Sequence, residues 1–339
     1  EAFLKDKTIL VTGAGGSIGS EMCRQVCIFR PKLLLLVEQA ENPLFHIERE
    51  LSRHFPEINL KAIICDITDK TRVEEIFEKY KPQVVIHAAA HKHVPLMELN
   101  PGEALKNNIM GTRTVADACD KYGTANFVMI STDKAVNPTS IMGSSKRIAE
   151  MYIQDLNRTS KTHFVTVRFG NVLDSSGSVV PIFKQQIAQG GPVTVTHPEM
   201  KRYFMTIPEA SQLVLQAATM GQGGEIFVLD MGEPVKIVDL AKELITLSGF
   251  VPGQDIEIVF TGPRPGEKLF EELSITGEDM QLTRHSKIGI WKNIPKDRDK
   301  LLAGINELAV IAQTQDHAKI AQKIKELVPT YIGNSNHLN

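Results

Sequence analysis

The stretch that decides the fold reads Thr8-Ile-Leu-Val-Thr-Gly-Ala-Gly-Gly-Ser-Ile-Gly19. An apolar run leads directly into glycines at every third position, and a helical pattern follows. Glycines let the backbone turn tightly and approach a pyrophosphate, which then lies at the N-terminus of the following helix. The stretch therefore predicts a buried strand, a phosphate-binding turn and a helix. The predicted dinucleotide contacts in this turn are Gly13, Gly16, Ser17, Ile18 and Gly19.

Further short apolar runs follow over the first 170 residues, separated by helix-like stretches. Continuous apolar strands separated by helices are typical of a parallel sheet that is covered on both faces. The sequence therefore predicts an α/β fold with a doubly wound parallel sheet. The additional predicted strands lie at 33–37, 61–65, 84–87, 126–130 and 163–167.

Beyond residue 168 the pattern loosens, and glycine and proline become frequent. Long loops of this kind usually carry substrate specificity, so we expect a smaller, interleaved α/β domain in the second half. The predicted dinucleotide-binding domain comprises residues 1–170 and about 203–230. The predicted substrate-binding domain comprises residues 171–202 and 231–334.

An acidic residue at the end of the second predicted strand completes the dinucleotide pattern. Glu38 is placed to accept hydrogen bonds from the adenosine ribose hydroxyls, and its charge would repel a 2′-phosphate. NAD is therefore favoured over NADP. The further predicted contacts, which flank adenine or allow the cofactor to approach closely, are Asp66, Ile67, Ala88, Ala89 and Ala90.

The composition is that of a globular protein, with 42% hydrophobic and 23% charged residues among 339. The net charge of −2 lacks the basic excess of nucleic-acid-binding proteins, so no nucleic acid is expected as a partner. No apolar stretch approaches the roughly 20 residues that span a bilayer, and we expect a cytoplasmic protein. The chain begins with Glu1. A membrane anchor, with the chain at the cytoplasmic face, is expected only if it is a fragment of a longer protein.

Disulfides and metals are not expected. Cys23 and Cys27 have the spacing of core neighbours on one helix, and all four cysteines are expected to be reduced. His87, His91 and His93 lie close together, but no carboxylate or cysteine completes a plausible ligand set.

Polar side chains with catalytic potential follow the fifth predicted strand, in the segment 131–146. Ligands in open α/β sheets bind beyond the carboxyl ends of the strands, so this segment is in the expected place for chemistry. The candidate catalytic residues here are Thr132, Asp133, Lys134 and Lys146.

Several motifs occur in order along nearly the whole chain: Thr12-Gly-x-x-Gly-x-x-Gly19, His87-Ala-Ala-Ala-His-Lys-His-Val-Pro95, Asn108-x-x-Gly-Thr112, Ser131-Thr-Asp-Lys134, Met142-Gly-x-x-Lys-Arg147, Arg168-Phe-Gly-Asn-Val172 and Arg264-Pro-Gly-Glu-Lys268. In these motifs the chain resembles the extended short-chain dehydrogenases/reductases, which have a Rossmann fold. Within them it is most similar to the bacterial polysaccharide-biosynthesis UDP-N-acetylglucosamine 4,6-dehydratases.

The resemblance implies a role for each residue of the catalytic segment. Lys146 would hold the nicotinamide ribose and lower the pKa of nearby hydroxyls, and Thr132 would lie near carbon 4 of the sugar. Asp133 would protonate the departing carbon-6 hydroxyl, and Lys134 would remove the carbon-5 proton. A lysine serves as a base only in its neutral form, which we expect partial burial or neighbouring cations to favour.

One position departs from the superfamily pattern. Most members carry a tyrosine four residues before the lysine, as the base for the carbon-4 hydroxyl, and here that position is Met142. A thioether cannot take a proton, but a branch of these dehydratases has the same methionine. We therefore expect an active enzyme in which Asp133, or a water held by Thr132, replaces the tyrosine.

Side chains suited to a UDP-sugar lie mainly in the second half. Arginine binds phosphate oxygens in a bidentate manner, so Arg202 and Arg264 are the predicted diphosphate contacts. The remaining predictions assign Glu267 to the uridine ribose and Asn171 to a phosphate or the sugar. The predicted uracil contacts are Val180 and Pro181, the residues at the cofactor–sugar junction are Lys92 and His93, and a further cofactor contact is Asn108.

The predicted reaction is dehydration of UDP-N-acetylglucosamine, or a close UDP-N-acetylhexosamine, to a UDP-2-acetamido-2,6-dideoxy-4-keto-hexose. It would proceed by transient hydride transfer to tightly bound NAD that is regenerated in each turnover. The alternatives are a UDP-hexose 4-epimerase, which needs no acid at carbon 6 or base at carbon 5, and a non-catalytic NAD-binding regulator. A homo-oligomer is expected.

Overall fold

The computed structural model describes residues 2–273, 280–291 and 297–333. In the first half, each predicted strand is present, and the first five are each followed by helical structure. The strands are β1 (Thr8–Thr12), β2 (Leu33–Glu38), β3 (Leu60–Ile64), β4 (Val84–His87), β5 (Asn126–Thr132) and β6 (His163–Phe169). The helices are α1 (Ser17–Ile28), α2 (Glu41–His54), α3 (Lys70–Tyr80), α4 (Val94–Leu99), α5 (Pro101–Ala104), α6 (Thr112–Tyr122) and α7 (Ile141–Asn157).

The elements of the second half are shorter and less regular. The strands are β7 (Asn171–Val172), β8 (Val193–Val195), β9 (Lys201–Arg202), β10 (Phe204–Met205), β11 (Ile226–Leu229), β12 (Val235–Lys236), β13 (Ile258–Phe260), β14 (Met280–Leu282) and β15 (Ile288–Trp291). The helices are α8 (Val179–Ala188), α9 (Ile207–Met220), α10 (Ile237–Leu247), α11 (Arg298–Ile311) and α12 (His317–Leu327).

A nine-stranded sheet forms the centre of the molecule, in the order β14-β15-β11-β6-β5-β4-β1-β2-β3. Strands β1 to β6 and β11 pair in parallel, and β14 and β15 pair antiparallel at one edge. The strand order reverses between β1 and β4, which opens a crevice at their carboxyl ends where ligands of such sheets bind. The predicted α/β doubly wound fold is confirmed.

Apolar side chains cover both faces of the sheet. One buried cluster joins the sheet to α3, α6, α7, α11 and α12, and the other joins it to α1, α2 and α9. Phe127 of β5 and Phe164 of β6 are fully buried, with ring centroids 5.2 Å apart. Truncating either to alanine would cost about 3–5 kcal/mol. This packing fixes β5, whose end carries the predicted catalytic residues.

A smaller apolar cluster packs α8 and α10 against β8, apart from the main sheet. The strand pairing corrects the predicted domain division for residues 280–291, because β15 pairs with β11 and extends the large sheet. Helices α11 and α12 also pack on the main core rather than on the smaller cluster. Residues 274–279, 292–296 and 334, which the prediction also gave to the substrate domain, lie outside the described residues. Among the residues described, no helix is both long and apolar enough to cross a membrane.

Candidate active site

A cleft of about 630 Å³ opens at the carboxyl ends of the central strands. It is lined by residues of the glycine turn, of the β5 end and of loops from the second half. The predicted site residues that line it are Gly16, Ser17, Ile18, Gly19, Ala88, Ala90, Lys92, His93, Thr132, Lys134, Met142, Lys146, Asn171, Arg202, Arg264 and Glu267.

The glycine turn after β1 is packed so closely that neither Gly13 nor Gly19 has room for a side chain. A Cβ at Gly19 would overlap the carbonyl oxygen of Gly13, and a Cβ at Gly13 would lie 2.8 Å from the backbone nitrogen of Ala89. Gly13 also has a φ of +65°, which glycine adopts without strain. The turn thereby brings the N-terminus of α1 to the crevice, where its amide groups suit a pyrophosphate.

Glu38 ends β2 and holds the glycine turn in place. Its carboxylate accepts hydrogen bonds from the backbone N–H groups of Gly15, Gln39 and Ala40, at 3.1, 2.9 and 3.1 Å. A carboxylate offers about four acceptor positions, so a ribose hydroxyl still finds one. This geometry fits the adenosine half of a dinucleotide.

Residues after β3 and β4 continue the same edge of the crevice. Asp66 accepts hydrogen bonds from the backbone N–H and the hydroxyl of Thr68, both at 2.8 Å, and Ile67 is buried. Ala88 and Ala90 line the cleft with small side chains that leave room for a ligand.

Asn108 lies in a π-helical segment, Leu105–Gly111, and is fully buried. Its amide donates to the carbonyl of His91 and to the hydroxyl of Ser145, and its oxygen accepts from the N–H of His91 and the side chain of Asn107. These four hydrogen bonds are the full complement of an asparagine. The prediction that Asn108 contacts the cofactor is therefore corrected, because its side chain joins the His91 loop to α7.

The β5 end brings the three predicted catalytic side chains together. The Thr132 hydroxyl donates to Asp133 Oδ1 at 2.9 Å, and Lys134 Nζ donates to the same oxygen at 3.0 Å. Lys134 Nζ also donates to Asn171 Oδ1 at 3.0 Å. Asp133 is 1% exposed, and its Oδ2 has no hydrogen-bond partner among the described residues. Asp133 is not among the described residues that line the cleft, whereas Thr132 and Lys134 are, so its carboxylate is connected to the cleft through these two neighbours.

Lys134 is expected from the sequence to be partly neutral, and its surroundings in the structure favour the charged form instead. Burial alone would lower the pKa of this amine, but the carboxylates of Asp133 and Glu271 outweigh burial and the nearby charge of Arg202. The net effect raises the pKa of Lys134 above its ordinary value. The prediction of a partly neutral lysine is therefore wrong for the ligand-free protein, in which Lys134 is an ammonium ion.

Helix α7 carries Lys146, the fourth candidate catalytic residue, and Met142, which stands at the position of the superfamily's tyrosine. It packs closely on the β5 end, since a Cβ at Gly143 would overlap the carbonyl oxygen of Lys134. Met142 is buried and lines the cleft, and Lys146 Nζ donates to the carbonyl of Ile130 at 2.8 Å. Burial lowers the pKa of Lys146 to about 8, although the charge of Glu150 acts in the opposite direction.

A loop of the second half closes over the glycine turn. The backbone N–H of Ser176 donates to Ser17 Oγ at 3.0 Å, and Lys92 Nζ donates to the carbonyl of Ser176 at 2.7 Å. His93 lies against Gly177, and burial, with a smaller effect of Lys92, lowers the pKa of His93. Lys92 and His93 therefore lie where the two halves of the cleft meet.

Arg202 is less available to a phosphate than the sequence suggests. Its guanidinium is buried and donates to the carbonyls of Lys201, Lys268 and Leu269 at 2.7, 2.8 and 3.2 Å. The predicted phosphate contact is corrected to this extent, because three of its five N–H donors bond backbone carbonyls and two of those three hold the 268–269 loop.

Arg264 has the opposite environment. Its side chain is 59% exposed at the mouth of the cleft and pairs with Glu267 at 2.7 Å. The predicted diphosphate and ribose contacts thus lie side by side, and the guanidinium still faces solvent.

The predicted uracil contacts do not match the shape of the cleft. Helix α8 begins at Val179, which lines the cleft together with Ser178. Successive helical residues turn away by about 100°, and the cleft lining includes neither Val180 nor Pro181 among the described residues.

Sequence reasoning missed Glu271, which lines the cleft and is 8% exposed. It lies 3.6 Å from Lys134 Nζ and 3.7 Å from Arg202 Nε. The only sequence signal is a pair of acids after Leu269-Phe270, and nothing in that pattern separates a buried carboxylate from a solvated one.

The family described as "Polysaccharide biosynthesis protein" matches residues 9–293. The chain belongs to this family. The predicted membership in the extended short-chain dehydrogenases/reductases is confirmed with it.

The similar proteins carry the names of different activities. The capsular polysaccharide biosynthesis protein CapD of Staphylococcus aureus is 63% identical over 272 residues, which cover 80% of this chain and 45% of CapD. An inverting UDP-N-acetylglucosamine 4,6-dehydratase of Campylobacter jejuni is 35% identical over 82% of this chain and 80% of its own. A UDP-glucose 4-epimerase of Rickettsia canadensis is 34% identical over 86% of this chain and 84% of its own. The chain spans about half the length of the first curated relatives it matches.

Among solved structures, Pen from Bacillus thuringiensis matches with a TM-score of 0.79 and 33% identity. The match covers 86% of this chain and 90% of Pen. The relatives support an enzyme of the sugar dehydratase and epimerase group.

Proposed function

We propose that this polysaccharide biosynthesis protein is an NAD-dependent UDP-N-acetylglucosamine 4,6-dehydratase. The observation that carries the proposal is the hydrogen-bonded cluster of Thr132, Asp133 and Lys134, of which Thr132 and Lys134 line the cleft. Loss of water needs an acid at carbon 6 and a base at carbon 5. A 4-epimerase needs neither, so a buried carboxylate bonded to a lysine favours dehydration.

The dinucleotide would lie on the glycine turn with its adenosine ribose at Glu38 and its nicotinamide ribose at Lys146. The Glu38 carboxylate would repel a 2′-phosphate, so NAD is preferred to NADP. NAD, when bound, supplies a reversible oxidation at carbon 4, and the resulting ketone makes the carbon-5 hydrogen acidic.

The carbon-4 hydroxyl needs a base, and Met142 provides none. Thr132 supplies a route, because its hydroxyl takes that proton as it passes its own hydrogen to Asp133 Oδ1. Asp133 then carries the proton that the departing carbon-6 hydroxyl requires. One carboxylate therefore serves both steps, and the proton leaves in the product water.

Lys134 is the proposed base for carbon 5, but its ammonium would first have to release a proton to solvent in the cleft. The neutral amine would then take the carbon-5 proton and return it to carbon 5 as the hydride adds at carbon 6. Protonation of Asp133 removes one of the two anions that hold Lys134 charged. Its pKa then falls, which brings the amine closer to the neutral form that a base requires.

The UDP group would lie toward the second half, with its diphosphate at Arg264, its ribose at Glu267 and its sugar near Asn171 and His93. Arg264 is exposed at the cleft mouth, where a guanidinium meets a phosphate without first losing backbone partners. A homo-oligomer, and a membrane anchor if the chain is a fragment of a longer protein, remain predictions.

A UDP-hexose 4-epimerase is the second candidate, because the Rickettsia epimerase is as similar as the Campylobacter dehydratase. Incubation of the protein with UDP-N-acetylglucosamine, followed by mass spectrometry, separates the two. A dehydratase gives a product lighter by one water, and Asp133→Asn should suppress it. An isomer of unchanged mass would establish epimerisation, and no turnover with bound NAD would favour a non-catalytic regulator.

A further inference from the structure

Glu271 is a buried acid in the cleft that the reaction outlined above does not use. Its side chain is 3% exposed, and its Oε2 finds no hydrogen-bond partner within the described part of the chain. Burying a carboxylate is costly unless opposite charge compensates it. The charges around Glu271 therefore indicate what it does.

Two cations lie near this carboxylate. Glu271 Oε1 is 3.6 Å from Lys134 Nζ and 3.7 Å from Arg202 Nε, both longer than a good hydrogen bond. Asp133 and Asn171, by contrast, accept hydrogen bonds from Lys134 Nζ at 3.0 Å. Glu271 thus acts on Lys134 mainly through its charge.

The loop that carries Glu271 is fixed relative to the β5 end. Arg202 holds the carbonyls of Lys268 and Leu269, and Lys268 Nζ donates to the carbonyl of Val136 at 2.9 Å. Val136 directly follows the turn that contains Lys134. The distance between the carboxylate and the ammonium is therefore set by the fold rather than by a free surface side chain.

The charged groups that face Lys134 are the Asp133 and Glu271 carboxylates and the Arg202 guanidinium. Asp133 belongs to the same turn as Lys134, whereas Glu271 comes from the second half of the chain. If Asp133 becomes neutral during the reaction, Glu271 is the anion that remains beside the amine.

We propose that Glu271 is a positioning residue for Lys134, whose carboxylate sets the charge state of the lysine amine at the place in the cleft where Asp133 and Asn171 bind it. The effect of Glu271 on the Lys134 amine in the ligand-free protein does not depend on the reaction that the enzyme catalyses. Its importance for turnover rests on the proposed function.

The test measures how fast acetic anhydride modifies Lys134 in the ligand-free protein, by peptide mass mapping at about pH 8.5. Only the neutral amine reacts. Glu271→Gln keeps the shape of the side chain and removes its charge, so the labelling rate of Lys134 should rise about tenfold or more. Glu271→Asp keeps the charge and should stay near the rate of the unmodified protein.

The matched control is Glu272→Gln, because Glu272 is the neighbouring acid and pairs with Lys268 at 3.0 Å. It should leave the labelling of Lys134 unchanged. Equal increases in Glu271→Gln and Glu271→Asp would indicate a loosened loop and overturn the proposal, as would no increase in Glu271→Gln.

A kinetic readout then links the amine to turnover. In Glu271→Gln, the limb of the pH–rate profile that reports Lys134 should move to lower pH, with little change in KM for the UDP-sugar. An unmoved limb with a raised KM would overturn the catalytic part of the proposal. If the labelling behaves as expected but no water is lost from UDP-N-acetylglucosamine, only the proposed function fails.

Discussion

Thr132 donates its hydroxyl hydrogen to Asp133, with 2.9 Å between Oγ1 and Oδ1. The same carboxylate oxygen accepts from Lys134, so one buried acid connects the side chains proposed to act at carbons 4, 5 and 6. With methionine at position 142, this connection is the proposed replacement for the proton acceptor that a tyrosine would provide.

Removing the Thr132 hydroxyl should therefore damage turnover. Thr132→Val keeps the shape but cannot relay a proton, and we expect kcat to fall about 100- to 10,000-fold. Thr132→Ser keeps the hydroxyl and should retain most activity. Steady-state kinetics with UDP-N-acetylglucosamine check this, and a Thr132→Val enzyme as active as Thr132→Ser would exclude the relay.

Glu38 should set the choice between NAD and NADP. Replacing it by serine removes the charge that repels a 2′-phosphate, so the ratio of the two dissociation constants should move toward NADP by about tenfold or more. Isothermal titration calorimetry measures both constants. Glu41→Gln, an exposed change at the start of α2, is the control. Tighter binding of NADP than of NAD by the unmodified protein would contradict the role of Glu38.

Arg264 should contribute to substrate binding more than to turnover. Arg264→Ala removes an exposed guanidinium from the cleft mouth, so KM for the UDP-sugar should rise while kcat changes less. Arg284→Ala, an exposed arginine outside the described cleft lining, is the matched control. An unchanged KM in Arg264→Ala would remove this residue from the site.

Lys146 should lower the free energy of unfolding of the cofactor-free protein at neutral pH. Its pKa is about 8 when folded and 10.5 ordinarily, so the unfolded chain binds more protons between these values. The free energy of unfolding therefore increases as the pH rises from about 8 toward 10.5. Below about pH 8, the full cost of burying the charged Lys146 amine is present. The penalty is about 3 kcal/mol at pH 7.

Lys146→Met removes this penalty and loses the hydrogen bond to Ile130, worth about 1 kcal/mol. The variant should unfold with a free energy about 2 kcal/mol higher at pH 7, and the gain should shrink at about pH 9.5. Urea denaturation at the two pH values measures this, with the exposed Lys121→Met as control. A gain that grows with pH would contradict the lowered pKa.

The strands of the first half could be predicted from sequence because continuous apolar runs are local signals, and each predicted run forms a strand. The glycine turn and the cluster of Thr132, Asp133 and Lys134 could be predicted as well, because the residues of each lie within one short segment. Glu271 could not be found in this way, since it meets Lys134 only after the second half folds back. The strand pair at 280–291 was missed for the same reason, because its partner β11 is distant in sequence.

Two side chains predicted to bind ligands are instead committed to the protein, Asn108 fully and Arg202 in part. Asn108 and Arg202 have the right chemistry for a cofactor and a phosphate, but both donors of the Asn108 amide and three of the five donors of Arg202 already bond the protein. Sequence gives the donor type of a residue but not how many donors the fold has already used.

The most direct test of the dehydratase proposal uses UDP-N-acetylglucosamine deuterated at carbon 4. Incubation with the NAD-loaded protein, followed by mass spectrometry and NMR of the product, reports both the loss of water and the fate of the label. The proposal predicts a product lighter by one water that carries the deuterium at carbon 6. A product of unchanged mass, with the label still at carbon 4, would contradict it.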